Sequence, residues 1–294
     1  MGDEKRFAGT MRVMTEADID FGMKLKNIAR WNQLPADWKR FIEIEPEGCF
    51  VAMLDGEKVG TVTTTTYGKR LAWIGMVLVP PEHRRKGIGT ALLKKAISHL
   101  RQKKLEVIGL DATPMGNKLY LTLDFREDFA LERRQGKGQA LSGGDASAAG
   151  SGVTPMTARE LDALAEFDAR VFGVPRPNVL RRLHADYPQL AWLARSGGRI
   201  TGYVMMRPGL NAHQIGPWVA ADPQIAEMLF QTALAAVGGR PIFLDVVVPN
   251  QAAMGIVTKY GFELQRPFVR MFLGENKYPA DTSRMYAISG VEKG

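Results

Sequence analysis

The sequence predicts a protein made of two copies of one α/β unit, and three observations carry that expectation. The chain is 294 residues long, about twice a typical domain. Its two halves repeat each other in the same order. Between them lies a Gly/Ser/Ala-rich stretch at 135–152, which can bury little and reads as a flexible linker. The units are therefore expected at 1–134 and 153–294.

The repeat has an offset near half the chain length. Residues 11–17 recur loosely at 153–159, and 50–60 recur at 191–202. The second pair consists of apolar runs around a Gly-containing turn, read as strand, tight turn, strand. Residues 73–79 match 214–220, Leu110-Asp111 matches Leu244-Asp245, and Leu123-Asp124-Phe125 matches Tyr260-Gly261-Phe262.

Within the first unit the patterns give helices at 16–28 and 35–44, then strands at 49–54, 58–67 and 71–79. The Thr-rich run at 61–66 is β-branched and suits a strand. Pro80-Pro81 ends that pattern. From Gly87, Ile88, Leu92, Ala96 and Leu100, with Leu93 and Ile97 beside them, mark one face of a helix. A strand at 107–111, a helix at 117–123 and a last strand at 127–134 complete the unit.

Composition narrows the function classes. With 45% hydrophobic and 24% charged residues, the chain is neither disordered nor collagen-like, and one cysteine excludes a disulfide scaffold. No run approaches the roughly 18 to 20 apolar residues of a membrane span, and the charged start has no apolar core behind it to make a secretory signal. Cys49 can form no internal disulfide and lacks partners for a zinc site, so a small buried side chain is expected. A reducing cytoplasm is the expected location. The net charge of +8, from 39 basic and 31 acidic residues, points to an anionic partner: nucleic acid, membrane surface or phosphate-bearing small molecule.

The segment that carries chemistry is Val77-Leu78-Val79-Pro80-Pro81-Glu82-His83-Arg84-Arg85-Lys86-Gly87-Ile88-Gly89-Thr90-Ala91-Leu92. It is strand, loop and helix, with Arg-x-x-Gly-x-Gly at the helix entrance. A helix N-terminus offers unpaired N–H groups and positive partial charge to a phosphate. Gly87 and Gly89 let the backbone approach the anion, and Arg84, Arg85 and Lys86 add cations. The Walker spacing is missing, and only one Gly-x-Gly pair is present, without the βαβ unit and ribose acid of a dinucleotide fold.

This segment resembles the acetyl-coenzyme A signature of the GNAT (Gcn5-related) N-acetyltransferases, and the element order of the first unit is similar to that fold. The resemblance implies an α/β (α+β) chain of two tandem GNAT-like domains, each a mixed, mostly antiparallel sheet flanked by helices. It further implies that the backbone of Met76, Val77, Leu78 and Val79 pairs with the pantetheine arm like an added strand. Amides between Arg85 and Thr90, Ile88 included, would hold the pyrophosphate. Tyr120 stands where the family often has a tyrosine that protonates the departing thiolate, and Thr113 where many members contact the coenzyme.

Two departures matter. Many members carry a glutamate base on the strand equivalent to 70–79, and here that strand has no carboxylate. Asp37, Glu43, Glu45, Asp111 or a water chain are the alternatives. The second unit has Ala220-Ala221-Asp222-Pro223 in place of the glycine loop and Val257 in place of Tyr120, so one coenzyme site is expected. Packing on the first domain, shaping the acceptor pocket or forming a homodimer are the roles open to the second. Trp31, Asn32, Asp37 and Trp38 form an aromatic and polar cluster assigned to the acceptor, where an acid would suit a cationic amine.

The expected activity is acetyl transfer from acetyl-CoA to a primary amine of a small molecule, by direct attack and without a metal. A non-catalytic acyl-CoA sensor and a protein N-acetyltransferase are the alternatives. Nucleic-acid binding is disfavoured, because no aromatics interleave with Lys94, Lys95, Arg101, Lys103 and Lys104.

Overall fold

The computed structural model describes residues 7–139 and 152–294. The first half contains β1 (Thr10–Val13), α1 (Ile19–Ile28), α2 (Pro35–Ile44), β2 (Phe50–Leu54), β3 (Glu57–Tyr67), β4 (Leu71–Leu78), α3 (Ile88–Gln102), β5 (Val107–Ala112), α4 (Pro114–Leu121) and β6 (Phe125–Lys137). The second half repeats the order with β7 (Val153–Pro155), α5 (Leu161–Phe172), α6 (Pro177–Asp186), β8 (Ala191–Ser196), β9 (Arg199–Arg207), β10 (His213–Ala220), α7 (Pro223–Val237), β11 (Pro241–Val247), α8 (Gln251–Lys259) and β12 (Glu263–Leu273). A further strand, β13 (Met285–Ala287), follows. Among the described residues no helix is long and apolar enough to cross a membrane.

The expected helical faces are the packed ones. Ile88, Leu92, Leu93, Ala96, Ile97 and Leu100 of α3 are all buried, against Val59, Val62, Ile74 and Leu110 of the sheet. Trp38 and Phe41 of α2 cover the other face with Val51, Met76 and Leu78. Helix α4 begins at Pro114, three residues before the sequence-based start of 117, because Thr113 caps it and proline suits its first position. Asp124, which replaces a glycine, takes φ 65° where Gly261 of the second half takes φ 74°. The turn is the same in both copies, and aspartate is among the few residues that tolerate it.

The two units do not close separately. One 13-stranded sheet runs β1-β2-β3-β4-β5-β12-β6-β11-β13-β10-β9-β8-β7. Strand β12 of the second half pairs antiparallel with β5 of the first, Val269 opposite Ala112 through Leu273 opposite Ile108. Strand β6 of the first half pairs with β11 of the second, from Pro241 opposite Lys137 to Val247 opposite Leu131. Each half thus lends a strand to the other, β6 from the first and β12 from the second. This alters the linker expected at 135–152: Gln135, Gly136 and Lys137 are strand residues, and 140–151 lie outside the described residues.

Between the halves, Tyr67, Trp73, Phe268 and Phe272 pack with Leu164, Val171 and Leu180 in one apolar core. Buried ion pairs surround it. Arg133 meets Asp245 at 2.7 and 2.9 Å, and Arg176 meets Asp168 at 2.8 and 2.9 Å. Pairing of this kind is what makes burial of those charges tolerable.

Candidate active site

Strands β4 and β5 are parallel neighbours only from Leu71–Val107 to Trp73–Gly109, and beyond that pair their ladder ends. On its other side β4 bulges: Thr61 faces Leu78 and Thr63 faces Gly75, so an extra residue is accommodated on β4. Met76 takes φ 50° there, and the Thr61 hydroxyl donates to its carbonyl at 2.9 Å. The splay and the bulge open a cleft of ≈ 820 Å³.

The glycine loop forms one wall. Arg84 donates through Nε to Val79 O at 3.0 Å, and Arg85 and Gly87 both have positive φ, 59° and 77°. No side chain caps the N-terminus of α3, which leaves its first amides facing the cleft. The equivalent helix of the second half, α7, is capped by its own anion: Asp222 accepts from Ile225 N at 2.9 Å. A Cβ at Gly89 would touch nothing nearer than Leu119 at 3.6 Å, so the glycine leaves room for an approaching group and is not demanded by packing.

Of the residues assigned to the coenzyme, Met76, Val77, Leu78, Val79, Arg84, Arg85, Gly87, Ile88, Gly89, Thr90 and Thr113 line this cleft. Lys86 is exposed and does not line it. Thr113 also accepts from Gly116 N at 3.2 Å as the cap of α4. Tyr120 lines the cleft as well, its ring lying over Gly116, where a Cβ would come within 2.9 Å of it. Among the described residues its hydroxyl has no hydrogen-bond partner, and burial pushes its pKa up to about 12.

The acceptor assignment fares differently. Trp31 lines the cleft, but Asn32, Asp37 and Trp38 do not. Asn32 is buried, donates to Ala212 O at 2.9 Å and accepts from Asn211 N and Ala212 N. It ties the halves together. Asp37 caps α2 through Leu34 N at 2.8 Å and pairs with Arg40 at 2.7 Å and Arg207 at 3.1 Å. Trp38 is 0% exposed, its ring packed on Gly22, whose Cβ would stand 2.8 Å away. Asn32 and Asp37 thus serve the junction between the halves, and Trp38 the core of the first.

The far end of the cleft is built from residues distant in sequence. Asp111 of β5, Arg266 and Phe268 of β12, and Val291 and Glu292 complete it. Asp111 is held by Arg270 at 2.9 and 3.0 Å. Burial raises its pKa to about 6 despite that cation. The backbone of Glu292 lies on β4: a Cβ at Gly75 would come within 2.6 Å of Glu292 O. Burial works to raise the Glu292 carboxyl, but Lys293 and Arg207 outweigh it and hold the value near 2. Two acidic residues, one from β5 and one from the segment after β13, thus line a cleft to which β4 brings none. Gly75 was the only local sign, since a glycine inside a strand marks a close backbone approach. No motif announces Glu292.

In the second half the equivalent gap is filled. Strands β10 and β11 pair only at His213–Ile242 to Ile215–Leu244, and β13 enters the gap beyond, pairing with Trp218 and Val219 of β10 and Val246 of β11. Val257, the counterpart of Tyr120, is 0% exposed in the core.

Comparison with known proteins agrees with this architecture. An acetyltransferase (GNAT) family model matches residues 19–123, and an acetyltransferase (GNAT) domain model matches 164–287. The chain is 26% identical over 267 residues to holothin acyltransferase of Pseudoalteromonas sp. (strain SANK 73390), spanning 90% of this chain and 87% of that protein. A crystal structure of a Pyrococcus horikoshii protein assigned as an acetyltransferase superposes with a TM-score of 0.82 at 23% identity, over 100% of this chain and 99% of the other. A tandem GNAT protein from the clavulanic acid biosynthesis pathway superposes with a TM-score of 0.60 at 14% identity, over 90% of this chain and 98% of the other. The chain belongs to the GNAT acetyltransferases, with two such domains in tandem. It is an acyltransferase enzyme.

Proposed function

We propose that the protein moves an acetyl group from acetyl-CoA to the primary amine of a small molecule, by direct attack while both are bound in this cleft. One observation carries this reading. A single cleft joins the uncapped start of α3, the β4 bulge, Tyr120 and an end that bears Asp111. The coenzyme would supply an activated acetyl thioester. Backbone amides of Gly87 to Thr90 suit its pyrophosphate, and the opened β4 backbone from Met76 to Val79 suits its amide-bearing arm.

The chain's own groups then divide the proton work. Asp111, ionised above about pH 6, takes the proton that the attacking amine must shed. An N–H near Met76 or Val77 polarises the carbonyl. The Tyr120 hydroxyl, unpaired and kept neutral by burial, gives its proton to the departing sulfur. A small acceptor is favoured over a protein substrate, because residues of β12 and the Glu292 segment add further walls to the cleft. The likeness to a relative named for acyl transfer to holothin points the same way.

Thiol release from acetyl-CoA with a panel of amines tests the reading, together with coenzyme titration of Gly89→Val and Gly87→Val. Gly89 has no packing neighbour closer than 3.6 Å, so its replacement should leave the melting temperature nearly unchanged and weaken coenzyme binding about tenfold or more. Unaltered binding in both variants would remove the loop from the coenzyme site. Tight binding without turnover for every amine would favour a sensor.

A further inference from the structure

Five buried arginines at or beside the junction of the two halves are matched to carboxylates. Arg40 pairs with Asp37 and Asp186, Arg207 with Asp37 and Glu292, Arg133 with Asp245, Arg176 with Asp168 and Arg270 with Asp111. A further arginine, Arg266, lines the cleft together with Asp111 and Phe268 and has no carboxylate within ion-pair distance among the described residues. Its nearest acid in electrostatic terms, Asp245, already accepts from Arg133 and from Gln214 at 3.2 Å. Arg266 is partly buried, at a cost its five neighbours recover through their partners.

The backbone aims it there. The pairing of β12 with β6 slips between Leu264 opposite Arg134 and Arg266 opposite Arg133, so Gln265 is the extra residue of a bulge, a device that redirects a side chain. The charges lining this end do not cancel around Arg266. Asp111 is neutralised by Arg270, and Glu292 by Lys293 and Arg207. The uncompensated charge is positive, which contradicts a site built for a simple cationic amine.

We propose that the acceptor is a small amine that also carries an anionic group, carboxylate or phosphate, and that Arg266 binds that group and so sets the specificity. The assignment rests on the acetyl-transfer reading above. A guanidinium matches either anion with paired hydrogen bonds. With the anion on Arg266, the amine is left facing Asp111 and the thioester end of the cleft. The second domain, which has no coenzyme site of its own, would then select the substrate for the first.

The test uses the full chain and binding as well as turnover. Calorimetry with coenzyme A present compares N-acetylglycine, N-acetylalanine and N-acetylphenylalanine with their amides, and N-acetyl-O-phosphoethanolamine with N-acetylethanolamine. At least one anionic member should bind about tenfold or more tightly than its neutral partner, the range expected for a charged hydrogen bond. Arg266→Met should abolish that preference and Arg266→Lys keep part of it. The corresponding free amines should show the same ranking in KM. Equal binding of charged and neutral partners, no binding by any probe, or a preference that survives in Arg266→Met would each overturn the proposal. Coenzyme affinity, measured in the same variants, should not change. A wrong anion assignment therefore shows as absent selectivity with intact coenzyme binding, whereas a wrong coenzyme reading shows as absent coenzyme binding.

Discussion

Tyr120 and Asp111 are the two titrating groups on which turnover should depend, and burial acts on both in the same direction. It favours the neutral phenol, with a value of about 12, which keeps the proton available for a leaving thiolate at neutral pH. It also favours the neutral carboxyl, raising Asp111 to about 6. Asp111 is therefore a base above pH 6 and an acid below it, and kcat/KM should fall as pH drops through about 6. Tyr120→Phe should lower kcat by about 10²-fold or more with the coenzyme affinity intact. Stopped assays of thiol release across pH 5–9 check both, and a rate unaltered in the phenylalanine variant would remove Tyr120 from the proton path. Tyr120 was legible in the sequence because it follows the strand–helix order of a known fold. Asp111 was one acid among several there, and only its place in the cleft separates it from Asp37, Glu43 and Glu45.

Helix α3 and strand β4 show how an element acquires a task. The apolar face of α3 was readable from Ile88 to Leu100, because its spacing fits 3.6 residues per turn. Whether the N-terminus is free to bind an anion depends on the residue in front of it. Gly87 leaves α3 uncapped, while Asp222 fills the same position before α7 with a carboxylate. Strand β4 depends on Gly75. A methyl group there would meet the Glu292 backbone at 2.6 Å, and main chain cannot swing aside as a flexible side chain does. Gly75→Ala should therefore cost about 1–3 kcal/mol in stability and raise KM for the acceptor more than for the coenzyme. Thermal unfolding and separate titration of the two substrates check this. Equal effects on both substrates would mean that the Glu292 segment does not shape the acceptor end.

At the scale of the molecule, the exchange of β6 and β12 makes the halves mutually dependent. Strand β5 is completed by β12, and the cleft takes Arg266, Phe268, Val291 and Glu292 from the second half. A chain cut after residue 139 would expose the unpaired edge of β5 and the apolar surface of Trp73 and Tyr67, a template for aggregation. It should lack a cooperative thermal transition by circular dichroism, and a sharp transition with coenzyme binding would show that the first half folds alone. Burial also accounts for part of the positive charge. Arg40, Arg133, Arg176, Arg207 and Arg270 are all at most 4% exposed and paired inside the protein, so they attract no external partner.

What the sequence determined by itself was local or repeated: the two α/β copies, the apolar face of α3, the glycine loop and the loss of that loop in the second copy. Each is written in neighbouring residues, and the periodicity, turn chemistry and phosphate-binding geometry behind it act over a few residues. The tertiary structure alone decided the rest. It paired β12 with β5, placed β13 between β10 and β11, set Asn32 and Asp37 at the junction and Trp38 in the core, and laid Glu292 on Gly75. These are contacts between segments up to about two hundred residues apart, selected by packing and charge pairing over the whole chain, and no window of sequence contains both partners.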